Sequence, residues 1–257
     1  MAETYPLLPL KNTVVYPQIV RPLAVGRAKS LAAVNAGAEA GRRIITVAQK
    51  LSNLEDPIRD DLYDIGTIST INRIEKRDNG AQVIVQGMER VRLGQPTDER
   101  HFIEIEYERL PKLTMDELGD DTAHVDALLR ENLELSQRIA QLYEPDNGDQ
   151  IYQRLIGSIN DPITQMYRIA DLANLTLEQE QEVLSCGTTK QLMQSVHEIL
   201  RHELQVTELR RQIAEQARGD MDQQQREHVL RQQKRAIEQA LGEPDDDEDI
   251  AELRAQL

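Results

Sequence analysis

The sequence predicts an α+β chain: a small β-barrel with one helix, followed by an α-helical bundle that ends in a long helix. Three observations predict it. Strand-type apolar patterns dominate the first 115 residues, and helical spacing takes over after them. Charge divides at the same place: residues 1–115 carry 16 Lys and Arg against 15 Asp and Glu, net +1, whereas 116–257 carry 14 against 30, net −16. Finally, no proline interrupts the stretch from Thr189 to Pro244. The expected divisions are a barrel over 1–115, a helical bundle over 116–188, a long coiled-coil-like connector over 189–243, and an acidic linker with the start of another helix over 244–257.

Each element has a local reason. Phe102–Leu110 places Ile103, Ile105 and Tyr107 on one face and Glu104, Glu106 and Glu108 on the other, a half-buried strand. Asp78-Asn79-Gly80 before AQVIVQG predicts a hairpin, with Asn-Gly favouring the positive φ angles of a type I′ turn. The β-branched run Ile44-Ile45-Thr46-Val47 reads as a strand covered on both faces, and the Ala-rich Ser30–Ala40 as the helix before it. Ile65, Ile68, Ile71 and Ile74 are three apart, yet the intervening Thr67, Ser69 and Thr70 favour a strand with a bulge. Beyond residue 115, Thr114-x-x-Glu117 and Thr176-x-x-Gln179 have the form of capping boxes. Asp161-Pro162 supplies an N-cap followed by proline at the first helical position. Gly187 stands where a helix end favours a left-handed residue, with Thr188 or Thr189 capping the next helix. Val125, Leu128, Leu129, Leu133, Leu135, Ile139 and Leu142 form a broad apolar face suited to a bundle interior.

Composition narrows function. At 257 residues and 39% apolar, the chain can bury a sizeable core. Its net charge of −15 argues against a general binder of nucleic acid or of anionic membranes. No apolar run approaches the roughly 20 residues of a membrane helix, and the N-terminus has no secretory pattern. A single cysteine, Cys186, excludes an intrachain disulfide and suits a reducing compartment, so a cytoplasmic protein is expected. A phosphate-binding loop needs a Gly-Lys pair, and none occurs. His197 and His202 are five apart, which turns their rings about 140° from each other on a helix and spoils a zinc-peptidase pair. No nucleophile elbow is present either. Catalytic and metal-ligating residues are therefore not assigned, and no cofactor is expected in this chain.

What remains is surface for binding. Val14–Val20 is an apolar, proline-containing loop between two strands. It either folds back over the end of the barrel, or leaves Val15, Tyr16, Pro17, Ile19 and Val20 exposed to catch extended apolar polypeptide. Along the long helix, Leu192 to Ile213 suit packing within the bundle. The stripe then thins through GDMDQQQREH and resumes weakly at Leu230, Ile237 and Leu241, where so little local core is available that pairing with another helix is expected.

The residues also resemble a known family. YPLLPLKNTVVYPQIVRPLAVGRAKSLAAV is similar to the opening of Lon-type ATP-dependent proteases: a Pro-Leu strand at Pro6–Leu10, the Tyr16-Pro17 pair, a Pro-Leu-x-Val-Gly strand at Pro22–Gly26 and a small-residue helix at Ser30–Val34. Tyr63–Ile68 resembles the family's G-T-[VI] strand, and Val85–Arg92 its G-x-x-R-[VA] strand. Gln225–Ile237 through Leu241-Gly242-Glu243 is similar to the family's long helix, with His228 and Gln232 in place of the usual aromatic and glutamate. The resemblance implies an N-terminal region with a PUA-like barrel, a helical bundle and a long helix that leads to an ATPase ring. It implies recognition of unfolded or damaged polypeptides and support of a hexamer, with ATP and Mg²⁺ used by an ATPase module, and a Ser-Lys peptidase domain, both outside this chain. A stand-alone scaffold or adaptor with the same barrel is the alternative. RNA binding is a third reading, disfavoured by the near-neutral first half and acidic second half.

Overall fold

The computed structural model describes residues 3–98, 101–116, 118 and 121–241, the side chains of 218–220, 222 and 238–241 excepted. Six strands form one mixed sheet: β1 (Thr4–Leu10), β2 (Val20–Val25), β3 (Arg43–Ala48), β4 (Ile65–Arg77), β5 (Gly80–Asp98) and β6 (Glu104–Arg109). Helix α1 (Ala28–Glu39) lies between β2 and β3 in sequence. The strand order is β2-β5-β4-β3-β1-β6, and β5 also pairs with β6, so five strands close into a hydrogen-bonded ring with β2 attached to β5. Length makes this closure possible. The 19-residue β5 pairs β2 through Ala81–Gln86 and β6 through its second half, from Val91 to Asp98.

Alternation decides which side chains go where. Leu8, Leu10, Val34, Ile44, Ile71 and Val83 form one cluster under α1, while Leu7, Ile45, Val47, Ile68, Val91 and Ile105 form another. Successive residues of β1 and β3 thus feed opposite cores, which is why Ile44–Val47 reads as continuously apolar. The Ile-x-x-Ile spacing in β4 is explained by two register shifts, at Ile68/Ser69 and Ile71/Arg73. The hairpin forms with Arg77 opposite Gly80, but its turn differs from type I′. Asp78 and Asn79 keep negative φ, and only Gly80 is positive, at 143°. A Cβ on Gly80 would lie 2.3 Å from the Val25 carbonyl oxygen, so glycine serves the close approach of β2 as well as the turn.

The second half is helical: α2 (Thr122–Tyr143), α3 (Gly148–Tyr152) continuing into a π turn at Gln153–Gly157, α4 (Pro162–Leu172), α5 (Leu177–Ser185) and α6 (Thr189–Leu241). Asp161 caps α4 by accepting from the Thr164 N–H at 3.0 Å, and Thr176 with Gln179 forms the reciprocal box at α5. Thr188 accepts from the Gln191 N–H at 3.2 Å to open α6. The Thr114-x-x-Glu117 box falls partly outside the described residues, at Glu117, and α2 begins at Thr122. One expectation fails. Gly187 is not left-handed. The end of α5 is closed by Arg90, whose guanidinium donates to the carbonyls of Leu184 and Cys186, so no left-handed cap is required.

Met1–Leu204 forms one compact unit and Gln205–Leu257 a second. Within the first, Leu192, Met193, Val196 and Leu200 at the start of α6 are buried among α2, α4 and α5. Ile213, Leu230 and Ile237, farther along α6, are exposed.

Candidate functional site

The loop after β1 turns sharply because Gln18 adopts a left-handed φ of 63°, reversing the chain behind Pro17. Its backbone is then fixed on every side. The Gln18 N–H donates to the Gly87 carbonyl at 2.8 Å, the Gly87 N–H donates to the Ile19 carbonyl at 3.0 Å, and the Thr67 hydroxyl donates to the Val15 carbonyl at 2.6 Å. The loop passes so close to β5 that a Cβ on Gly87 would meet the Tyr16 carbonyl oxygen at 2.1 Å.

Helical residues complete the anchorage. The Val14 N–H donates to the Glu180 carboxylate at 2.9 Å, and the Tyr16 hydroxyl donates to the Glu180 carbonyl at 3.0 Å. The Tyr16 ring stacks on Tyr167 at 5.3 Å. Arg21 binds Asp171 at 2.5 Å and lies 3.6 Å from Glu180, while Arg168 holds the other oxygen of Asp171 at 3.0 Å. Burial raises the Glu180 carboxyl above its usual range, against the opposing pull of Arg21. It also pushes the Tyr16 phenol far up and the Tyr167 phenol up to about 12. These groups hold the sheet to the helices. Arg90 does the same from β5, donating to Pro111 at 3.0 Å as well as to the end of α5.

Of the five loop candidates, Val15, Tyr16 and Ile19 are therefore core residues, and the fold-back reading describes them. Val14, Tyr16 and Ile19 belong to the helical core cluster. Pro17 is half-buried and Val20 is exposed. Met88, which no local pattern singles out, is exposed on β5 two residues beyond Gln86, the partner of Val20. Beside them opens a cleft of about 270 Å³ whose lining mixes apolar side chains such as Pro17, Met88 and Ile163 with the charged Glu89, Arg109 and Lys112. The Tyr167 hydroxyl is buried there with no hydrogen-bond partner among the described residues.

The free edge of β2 borders a second cleft, which Leu8–Leu10 of β1 also line. Pro9 and Pro22 beside it have no N–H to offer a further strand. The Pro9 carbonyl is already taken by Arg27.

Nothing described resembles a reaction centre. Burial pushes the Cys186 thiol up to about 11, which disfavours the reactive thiolate. The His197 Nδ1–H donates at 2.9 Å to the buried Asn132 amide oxygen, a packing role. Among the described residues no three His, Cys, Asp or Glu gather to hold a metal. Of the pairing candidates on α6, Leu230 and Ile237 are exposed, and Leu241 ends the helix with its side chain outside the described set.

Residues 4–202 match the family model of the ATP-dependent protease La (LON) substrate-binding domain. The chain belongs to that family. Relatives agree: Lon protease of Nitrosococcus oceani is 35% identical over 99% of this chain, and Lon protease of Dictyoglomus thermophilum is likewise 35% identical over 99%. The chain spans about a third of their length, 32% and 31% respectively. Among solved structures, the N-terminal domain of Mycobacterium avium complex Lon protease superposes with a TM-score of 0.61 over 77% of this chain and 98% of that one. The Lon N-terminal domain protein from Xanthomonas campestris gives 0.51 over 75% of this chain and 96% of that one. At 18% and 16% identity these two speak for the Lon N-terminal fold alone. No helix among the described residues is long and apolar enough to cross a membrane.

Proposed function

We propose that this Lon substrate-binding domain holds unfolded or damaged polypeptide by side-chain contact for a Lon-type ATP-dependent protease, and itself breaks no bond. The observation that carries this reading is the pair of exposed apolar side chains Val20 and Met88, with Met88 and the half-buried Pro17 lining a cleft, in a chain of this family. Such contact is weak at one site and gains strength when several copies act together. The strand ring corresponds in this reading to a PUA-like barrel, and residues 116–188 to its bundle subdomain. Leu230, Ile237 and Leu241 pair with a second copy along α6 and support a hexamer in the longer protein. ATP and Mg²⁺ serve the ATPase module of that protein. A reducing cytoplasm suits the lone Cys186. A stand-alone scaffold is not favoured, because the relatives are named as proteases.

The test is a titration of this chain with a labelled protein in its unfolded and native forms. Binding of the unfolded form alone is expected, and Val20→Asp with Met88→Asp should weaken it about tenfold or more. Both side chains are exposed, so the variants keep the fold. Absence of binding at every oligomeric state refutes the proposal.

A further inference from the structure

A third cavity, remote in sequence from the loop, lies wholly in the helical half of the first unit. It measures about 270 Å³ and is lined by the C-terminal turns of α2, the π turn, the end of α4 and the start of α6. Its floor is apolar: Ile139, Ile151, Leu155, Ile156, Ile169 and Leu200. At its rim Tyr143 and Leu172 are 54% and 49% exposed, a cost that the bundle does not need for its own packing. The volume falls below the roughly 300–1,000 Å³ of small-molecule sites, and suits one large side chain from a chain passing over it.

Charge narrows the occupant. Among the described residues, the only charged ones lining the cavity are Glu144 and Glu203, both acidic. Glu203 accepts from the Tyr143 hydroxyl at 2.6 Å, and neither glutamate meets a cation among the described residues. The sequence 116–204 holds 17 Asp and Glu against 6 Lys and Arg, net −11, a balance that favours a cationic partner over an anionic one. The π turn at Gln153–Gly157 carries Leu155 and Ile156 into the lining, a distortion that regular helix packing does not call for.

We propose that this groove docks an unfolded polypeptide segment through one apolar side chain flanked by lysine or arginine, whose charges meet Glu144 and Glu203. This rests on the reading of the chain as a polypeptide binder and adds to it a second contact with a stated sequence preference. Acidic-flanked segments are repelled by the same pair.

Fluorescence anisotropy with this 257-residue chain tests it, using one unstructured peptide with an apolar centre and either lysine, serine or glutamate flanks. The lysine-flanked peptide should bind about fivefold tighter than the serine-flanked one at low salt, and lose that advantage at high salt. Glu144→Lys with Glu203→Lys should reverse the order of the lysine and glutamate peptides. Leu172→Gln, a neutral change at an exposed position, should weaken binding of the lysine-flanked peptide by removing apolar contact, whereas Met88→Asp should leave the preference intact. If unfolded protein binds and Met88→Asp weakens it, but neither flank charge nor Leu172→Gln has any effect, the groove assignment is overturned and the broader reading stands. If no peptide and no unfolded protein binds, both fall.

Discussion

Residues 14–20 and the far part of α6 both present aliphatic side chains where the neighbouring sequence offers little cover, yet they end in opposite states. Tyr16 is 0% exposed, and Leu230 is 63% exposed. The difference lies in the backbone. A loop that buries its side chains must also bury its N–H and C=O groups, which is affordable only when each finds a partner. Here Glu180, Thr67 and Gly87 supply those partners. A helix satisfies its own backbone, so no polar requirement compels Leu230 or Ile237 to be covered. Apolar sequence shows that cover is wanted; polar partners decide whether the chain itself provides it.

The most severe way to break this contrast is Tyr16→Ala. It removes the stack on Tyr167 and the bond to the Glu180 carbonyl, and should cost about 3–5 kcal/mol in a urea unfolding curve followed by circular dichroism. A cost near zero would show that the loop is not structural. Gly87→Ala comes next. Its methyl would collide with the Tyr16 carbonyl, and the strand must shift by enough to cost about 1–3 kcal/mol in the same measurement.

Glu180→Gln is milder and sharpens the electrostatic side. Because the folded carboxyl is raised, the native state binds the proton more tightly than the unfolded chain does. This group's contribution therefore favours folding at low pH. It declines as pH rises from the ordinary carboxyl value of 4.5 through the raised folded value. In Glu180→Gln that decline should vanish, with a change of about 1 kcal/mol or less at pH 7. A urea midpoint with unchanged pH dependence would count against the burial argument.

The smallest expected effect on stability belongs to Leu230→Asp with Ile237→Asp, within about 0.5 kcal/mol, because both positions are exposed. Sedimentation velocity supplies their decisive reading. The wild-type chain is expected to self-associate at high concentration, and this double variant to remain monomeric. A wild-type monomer at every concentration would remove the case for helix pairing.

Much of the architecture was legible locally. The alternation in Phe102–Leu110, the caps at Asp161 and Thr176, and the hairpin beside Gly80 depend on residues within a few positions of one another. Local reasoning failed where a distant group took over a local task. Gly187 looks like a helix cap, but Arg90, about a hundred residues away, closes that helix. The groove residues Tyr143, Leu155 and Leu172 sit on three separate elements, and no motif joins them. Of the loop candidates, Val20 is exposed and Pro17 half-buried, and the exposed Met88 lies on a strand whose own pattern gives no hint of it.

The amino-acid order alone determined the kinds of element, their approximate limits, the division of charge and the lack of a phosphate loop, since period, capping and composition are short-range properties. Only the tertiary structure decided that Tyr16 is core and Met88 is surface. The deciding contacts join residues as far apart as Val14 and Glu180, 166 positions along the chain. Whether such groups meet is set by how the whole sheet and the helices close on each other, and no short window of sequence contains that information.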